Sequence, residues 1–536
     1  MKRSIILIIS LLATLGMVAQ EQEFIRITTD KDCYLAGEDL WIQVCVNDAA
    51  HKPMNTSQVA YIEISDPQQV YAEAKIQLTD GEGNGRIRLP RTMHTGSFLL
   101  KAYTRYLRNW GEEAFSRKYI AVINTLQSVP EDQMTWTDTL PDISVQPSST
   151  LTTDKEVYNR RSKVKLSWET LPKGSYGVTL SVVRNDHALV SLDQPALPSL
   201  IKQPDNWEWT AESEGHIAQA KVVEGQAVLK TARLACAGKD IRLFEGQAAG
   251  EGIYTFYTHG IHNMQDIALD AVPQQRGKKG RMEPISPFTG TLPERMPSAH
   301  LSSTKEALQE RSVNVQLQPL LPNTDNPQSV SESLYNFQPD ITYNLDEWVR
   351  FTTVRETLIE FVMGVRVIKR NGESIMQLLK EDARRYSEFK ALVLIDGIPI
   401  EDHEQALDFD ARLLQYIHQY QGGYTFGGQT YDGIISMITH RGTLSGLRLG
   451  ENTSFLAYEF PQKNIRFPEK LYETEEQKTS RLPDFRHTLY WNPCISPTEQ
   501  SINFYTSDWE GNYLITLKGY TPDGKMWERK AMFTVK

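Results

Sequence analysis

The sequence predicts a multidomain, mainly β protein, in which tandem β-sandwiches accompany one small α/β domain. Three observations lead to that class. The chain has 536 residues, more than one compact domain holds, and ~150 residues per domain makes three or four. Short segments with period-two alternation recur with turn residues between them, as in stacked antiparallel sheets. From residue 340 onward, helix-period and continuous apolar runs take turns instead, as in an α/β unit.

Composition narrows the class. Apolar residues make up 40%, charged residues 23% and aromatic residues 10% of the chain, enough for several packed cores. A formal charge of -10 and a pI near 5.7 give no basic footprint for nucleic acid. Four cysteines in the whole chain exclude a disulfide-built scaffold or a Cys-rich zinc module.

Residues 1–19 read as a signal peptide. Lys2 and Arg3 precede an apolar run from Ile5 to Leu15, and Gly16 to Ala19 supply a cut after Ala19. The run is shorter than the ~20 residues a spanning helix needs, polar Gln20 to Glu23 follow it, and no later stretch is long enough. We therefore expect an exported chain with no transmembrane segment after cleavage. No Cys lies at the cut, which argues against a lipid anchor there.

Residues 22–126 form the first expected sandwich. Leu40, Ile42, Val44 and Val46 alternate with Trp41, Gln43 and Cys45, the period of a half-buried strand, and further strands follow at 59–64, 87–89 and 98–103. The segment Thr29-Asp30-Lys31-Asp32-Cys33-Tyr34 reappears as Thr153-Asp154-Lys155-Glu156-Val157-Tyr158, an offset of 124 residues. That repeat predicts a second copy of one domain type, placed at 146–205 after a Pro-containing linker at 127–145. A third small β-unit is expected at 206–275. Residues 276–339 read as a linker with a short helix, whose Lys/Arg run beside prolines lacks the aromatic interleaving of a nucleic-acid patch.

The α/β domain is expected at 340–445. Val354, Leu358, Phe361 and Val362 share one helix face, and Val365 and Val367 begin an extended segment. Ala391 to Ile395 and Gly433 to Ile438 are continuous apolar runs, as in strands buried on both faces. Residues 446–536 return to alternation and are expected to form a closing sandwich.

Three stretches carry resemblances. Asp30-Lys31, Tyr34, Gly37-Glu38, Asp66-Pro67, Gly83, Leu89-Pro90 and Gly96 resemble the macroglobulin-type domain called MG2, an Ig-like β-sandwich. The second copy has Arg161-Ser162 where the first has Gly37-Glu38. The run from Leu392 through Asp396-Gly397, Tyr424 to Gly427 and Asp432-Gly433 to Gly442 resembles the plug domain of TonB-dependent outer-membrane receptors, with Leu414 to Gln419 departing from the plug pattern. Only 94 residues follow Gly442, too few for a receptor-sized barrel of many ~10-residue strands, so the plug-like domain is unaccompanied. Asp484 to Pro493 with Phe504 to Tyr513 resemble a closing macroglobulin-like module. Together they resemble bacterial exported macroglobulin-like proteins that carry a plug-like domain without a barrel. The residues carried over, Asp30, Lys31, Tyr34, Gly37 and Glu38 in one motif and Asp396, Gly397, Gly427 and Gly433 in the other, are expected to be structural.

Chemistry is sparse. No Cys is followed by the Gly-Glu-Gln of a macroglobulin thioester, and no His-Glu-x-x-His, Gly-x-Ser-x-Gly, phosphate-binding Gly-Lys-Ser/Thr or Cys-x-x-Cys motif occurs. His259-x-x-His262 with Asp266 has loop or strand geometry, which does not converge the rings as helical spacing would. Gly427, Gly428 and Gly433 precede a strand rather than a helix N-terminus, so they make no phosphate cradle. Two readings stay open for Cys33 and Cys45, a disulfide between them or two unpaired thiols.

We expect no catalytic residue, cofactor or metal, and a non-catalytic envelope protein of a Gram-negative bacterium, periplasmic or outer-membrane associated. Its plug-like and Ig-like domains would contact outer-membrane or other envelope proteins. The alternative is a macroglobulin-type endopeptidase inhibitor without a thioester, with a bait in 276–300. A third, an unrecognised hydrolase, requires a pocket with converging titratable groups.

Overall fold

The computed structural model describes residues 21–127, 134–137, 150–185, 188–225, 228–237, 241–275, 278–317, 338–380, 385–426, 429–442 and 450–536. The expected signal peptide, most of the 127–145 linker, Arg276 and Gly427 lie outside them. The chain is multidomain and mainly β. It divides into two compact units, Met1–Ser213 with Gly290–Thr324 and Gln462–Lys536, and Glu214–Thr289 with Asp325–Pro461.

In the first unit, one sandwich pairs a three-stranded sheet (Phe24–Thr29, Asp39–Asn47, Glu82–Arg88) with a five-stranded one. The latter runs Cys33–Leu35, Ser116–Ile123, Gly96–Thr104, Val59–Ser65, Val70–Gln77. Cys33–Leu35 lies parallel to Ser116–Ile123 and every other pairing is antiparallel. Leu40, Ile42, Val44 and Val46 are fully buried, but so are Trp41, Gln43 and Cys45. The half-buried expectation fails on that second face because later chain covers it: Trp41 packs with Phe467 and Trp491, and Gln43 Nε2 donates to the Pro493 carbonyl at 2.5 Å.

The second sandwich has the same plan. Leu151–Thr153, Lys163–Trp168 and Ser501–Tyr505 form its three-stranded sheet, and Val157–Tyr158, Met526–Val535, Gly511–Tyr520, Tyr176–Arg184 and Thr488–Asn492 form the five-stranded one. Strand for strand this repeats the first sandwich, including the parallel first pair, Val157–Tyr158 with Met526–Val535. The expected units 146–205 and 446–536 are therefore one domain. Four strands before residue 185 leave both sheets open, and the C-terminal strands close them. Tyr176–Arg184 and Thr488–Asn492 correspond to Val59–Ser65 and Val70–Gln77 of the first sandwich, which are joined there by a tight turn with Asp66 Oδ1 accepting from the amides of Gln68 and Gln69. In the second, some 300 residues leave the sheet at that turn and return to it.

The second unit holds a third sandwich. One sheet runs Gln247–Gly250, Ile253–Tyr257, Ile217–Glu224, Arg281–Ile285, and the other Arg242–Glu245, Leu229–Cys236, Met264–Pro273, Thr453–Glu459. It thus extends beyond 206–275 to Arg281–Ile285, inside the expected linker, and to Thr453–Glu459, inside the expected C-terminal sandwich. Leu234, Phe256, Ile267, Leu269, Met282 and Phe460 fill its core. In the first unit, the 276–339 segment supplies the strand His300–Ser303, which pairs with Ala188–Ser191 and with Met134–Trp136 of the other expected linker. It also supplies the helix Lys305–Leu317, whose Leu308 and Val315 pack with Cys33, Leu35 and Ile123.

The α/β domain has a five-stranded sheet in the order Ile341–Asn344, Leu414–Tyr420, Ile434–Thr439, Leu392–Ile395, Ile398–Pro399. Leu392–Ile395 and Ile434–Thr439 pair in parallel and are buried throughout. The helix Val354–Glu360 starts at a capping box, with the Thr353 side chain accepting from Glu356 N and Glu356 reaching back to Thr353 N. It buries Val354 and Leu358. A hairpin of Val365–Arg370 and Glu373–Leu378 follows.

Candidate interaction site

The repeated motif is a turn clamp. Asp30 Oδ1 accepts from Tyr34 OH at 2.8 Å and from Trp41 N at 3.2 Å. In the second copy Asp154 Oδ1 accepts from Tyr158 OH at 2.7 Å and Lys165 N at 2.8 Å, at identical sequence spacings. Asp30 Oδ2 also accepts from Thr488 Oγ1 at 2.9 Å. Lys31 Nζ bridges Asp30 Oδ2 at 3.3 Å and Glu38 Oε2 at 3.4 Å. Burial disfavours an ionised Glu38, but Arg311 and Lys31 overcome it and hold the carboxyl well below the usual range.

Gly37 has φ +93°, and Arg161 takes the equivalent left-handed position at φ +52°. A non-glycine residue there costs about 1–3 kcal/mol. The Arg161 guanidinium offsets that cost, bonding Asp508 at 2.6 and 2.5 Å and the carbonyls of Lys478, Ser480 and Leu482 at 2.9, 2.7 and 3.0 Å. Cys33 lies in the core under the helix Lys305–Leu317 and Cys45 in the other sheet, and all four cysteines are free thiols. Of the two readings, the unpaired one describes this structure.

Asp396 and Gly397, at φ +47° and +87°, make the two-residue turn between Leu392–Ile395 and Ile398–Pro399. Asp396 accepts from Thr439 N and Thr439 Oγ1, both at 2.7 Å. A Cβ on Gly397 would come within 2.9 Å of Ile241 Cγ2, and one on Gly433 within 2.8 Å of Leu378 Cδ1. These residues shape the domain, and Asp396 and Gly433 lie at opposite ends of the parallel pair Leu392–Ile395 and Ile434–Thr439. Among the described residues no group of three or more His, Cys, Asp or Glu is placed to hold a metal ion. Two imidazoles in the domain, His403 and His418, are buried and pushed down to about 4 by desolvation. His403 Nδ1 accepts from Met376 N at 2.9 Å.

Several large apolar side chains of the α/β domain are exposed. A groove of about 650 Å³ opens between Val354–Glu360 and Val365–Arg370, lined by Leu358, Ile359, Phe361, Met363, Val365 and Val367. Ile359 is 70% exposed and Met363 77%. Nearby, Trp348 stacks on Phe361 with centroids 4.8 Å apart and planes 5° from parallel, while Val349 is 78% exposed. Clustered exposed apolar side chains of this kind mark interaction surfaces. Val365–Arg370 pairs only with Glu373–Leu378 among the described residues, so its outer edge is open. Exposed Arg366, Lys369 and Arg370 lie along it. Sequence reading missed this site because it placed Val354, Leu358, Phe361 and Val362 on one apolar helix face and singled out neither Ile359 nor Met363.

No family model matches the sequence, and no curated protein matches it. Among solved structures, the chain is similar to Salmonella alpha-2-macroglobulin reacted with methylamine (9% identity, 96% of this chain and 39% of that chain covered, TM-score 0.24). It is similar to E. coli alpha-2-macroglobulin in its native conformation (10% identity, 97% and 40% covered, TM-score 0.23). It is also similar to the E. coli adhesin FdeC (11% identity, 52% and 64% covered, TM-score 0.16). The chain spans about two fifths of the length of those macroglobulins. Scores of this size carry no argument, and the sandwich assignment rests on the strand pairings above. No helix among the described residues is long and apolar enough to cross a membrane.

Proposed function

We propose that the chain is a non-catalytic, exported interaction protein of a Gram-negative envelope. Its macroglobulin-type sandwiches serve as interaction modules, and its plug-like α/β domain docks an outer-membrane or other envelope protein. The observation that carries this reading is the exposed groove beside Ile359 and Met363. Two of the perturbed buried groups are already engaged, Glu38 by Arg311 and His403 by a backbone amide. Co-purification of the full chain from cross-linked envelopes tests it, with an Ile359→Asp, Met363→Asp double variant alongside. A partner recovered with the parent and lost with the variant supports the reading, and equal recovery contradicts it.

A second reading, thioester-free endopeptidase inhibition, draws on the exposed stretch Thr291, Leu292, Glu294 and Arg295. Its flanks are tied down: Gly290 N donates to Glu63 Oε2 at 3.0 Å, Lys101 Nζ to the Thr291 carbonyl at 3.1 Å, and Ser97 Oγ to the Pro297 carbonyl. Incubation with trypsin decides it. Inhibition requires cleavage at Arg295 followed by loss of protease activity on a large substrate but not on a small one.

A further inference from the structure

We propose that Val365–Arg370 is a strand-addition site for an extended acidic peptide, which rests on the docking role just given to this domain and names its partner. In the two-stranded hairpin, Glu373–Leu378 is engaged on both edges. Beyond its pairing with Val365–Arg370, its Met376 carbonyl accepts from Ala391 N at 2.9 Å, its Leu378 carbonyl from Ser387 N at 2.8 Å, and Met376 N donates to His403. Among the described residues, the Val365–Arg370 edge has no strand paired to it. An unpaired row of amides and carbonyls selects an occupant that is itself extended, because only a strand can match its spacing.

The side chains select further. The groove beside the edge is of mixed character, with Val365 and Val367 of the strand and Ile359 and Met363 among its apolar lining. A docked strand would set alternate side chains into that groove at about 3.3 Å per residue. Arg366 is engaged with Gln377 Oε1 at 2.8 Å and with the Tyr386 ring, and Arg355 on the groove lining is paired with Glu404, so the exposed cations at this end of the strand are Lys369 and Arg370, beside one lining carboxylate, Glu360. That excess of positive charge repels a second copy of the same edge and favours a strand with acidic residues between its apolar ones. The occupant is therefore a short segment of alternating apolar and acidic residues from a partner protein.

The test uses the full chain and three fluorescein-labelled seven-residue peptides. One alternates Val with Asp, one alternates Val with Lys, and one has the Asp sequence with alternate backbone nitrogens methylated so that it cannot pair. Anisotropy should show the Asp peptide binding at least about tenfold more tightly than either control. Hydrogen exchange should slow in residues 365–370 when it binds. A Lys369→Glu, Arg370→Glu variant should lose that binding by about tenfold or more. Equal binding of the methylated peptide, equal binding of the Lys peptide, or binding without slowed exchange at 365–370 overturns the proposal. Failure here with partner capture still lost in the Ile359→Asp, Met363→Asp variant overturns strand addition alone. Capture unaffected by that variant overturns the docking role as well.

Discussion

Arg311 holds Glu38 in a buried two-point grip, Nε to Oε1 at 2.6 Å and Nη2 to Oε2 at 2.7 Å, while Nη2 also donates to the Cys33 carbonyl at 3.1 Å. Both residues are buried, so the pair fixes the helix Lys305–Leu317 onto the turn of the first sandwich. Removing Arg311 leaves the buried Glu38 carboxylate with Lys31 alone, at 3.4 Å, which costs up to about 3–5 kcal/mol. Arg311→Met should therefore lower the urea midpoint of the first unit by that equivalent, while Arg311→Met with Glu38→Gln recovers most of it. Equal loss in both variants would show that packing, not charge, holds the helix.

The left-handed Arg161 yields a second prediction. Arg161→Gly relieves the backbone cost at φ +52° but frees the carbonyls of Lys478, Ser480 and Leu482 and the Asp508 carboxylate. Limited trypsin digestion should then cut at Lys478 and Arg481 several times faster than in the parent. An unchanged digestion rate would mean that the segment is held by other contacts, of which the Tyr472 OH bond to Asp484 Oδ2 at 2.8 Å is one.

Glu23 sets a pH dependence. Burial raises its carboxyl from 4.5 to about 7, with Glu212 adding repulsion and the hydroxyls of Thr104 and Ser57 opposing the shift. An acid held protonated in the fold stabilises it fully below the unfolded value near 4.5, and that contribution disappears as pH rises through about 7. Glu23→Gln keeps the neutral shape at every pH. Its melting temperature should match the parent at pH 4.5 and exceed it at pH 8, by a free-energy difference on the order of 2–3 kcal/mol. A difference that does not grow between those values contradicts the assignment.

The local parts of this architecture were legible in the sequence and the long-range parts were not. Asp30 and Tyr34 recur as Asp154 and Tyr158 because the clamp is made within a dozen residues, so its signal survives in one short motif. Asp396-Gly397 likewise identifies its own turn. The partner of Tyr176–Arg184, by contrast, is Thr488–Asn492, some 300 residues away, and an alternating strand carries no mark of which strand it joins. Trp41 and Cys45 alternate as a solvated face would, yet the later chain buries them. The same ambiguity hid the groove. Ile359 and Met363 are apolar in a helical run, and only the fold decides that they face outward.

In the proposed docking role, the α/β domain meets its partner through this groove. A photo-cross-linking amino acid placed at Ile359 or at Met363 in cells making the full chain tests it most directly, with Val157, 47% exposed in the first unit, as the control position. The account predicts a discrete adduct of one size from both groove positions and none from Val157. Absence of an adduct at both groove positions, or the same adduct from Val157, would contradict it.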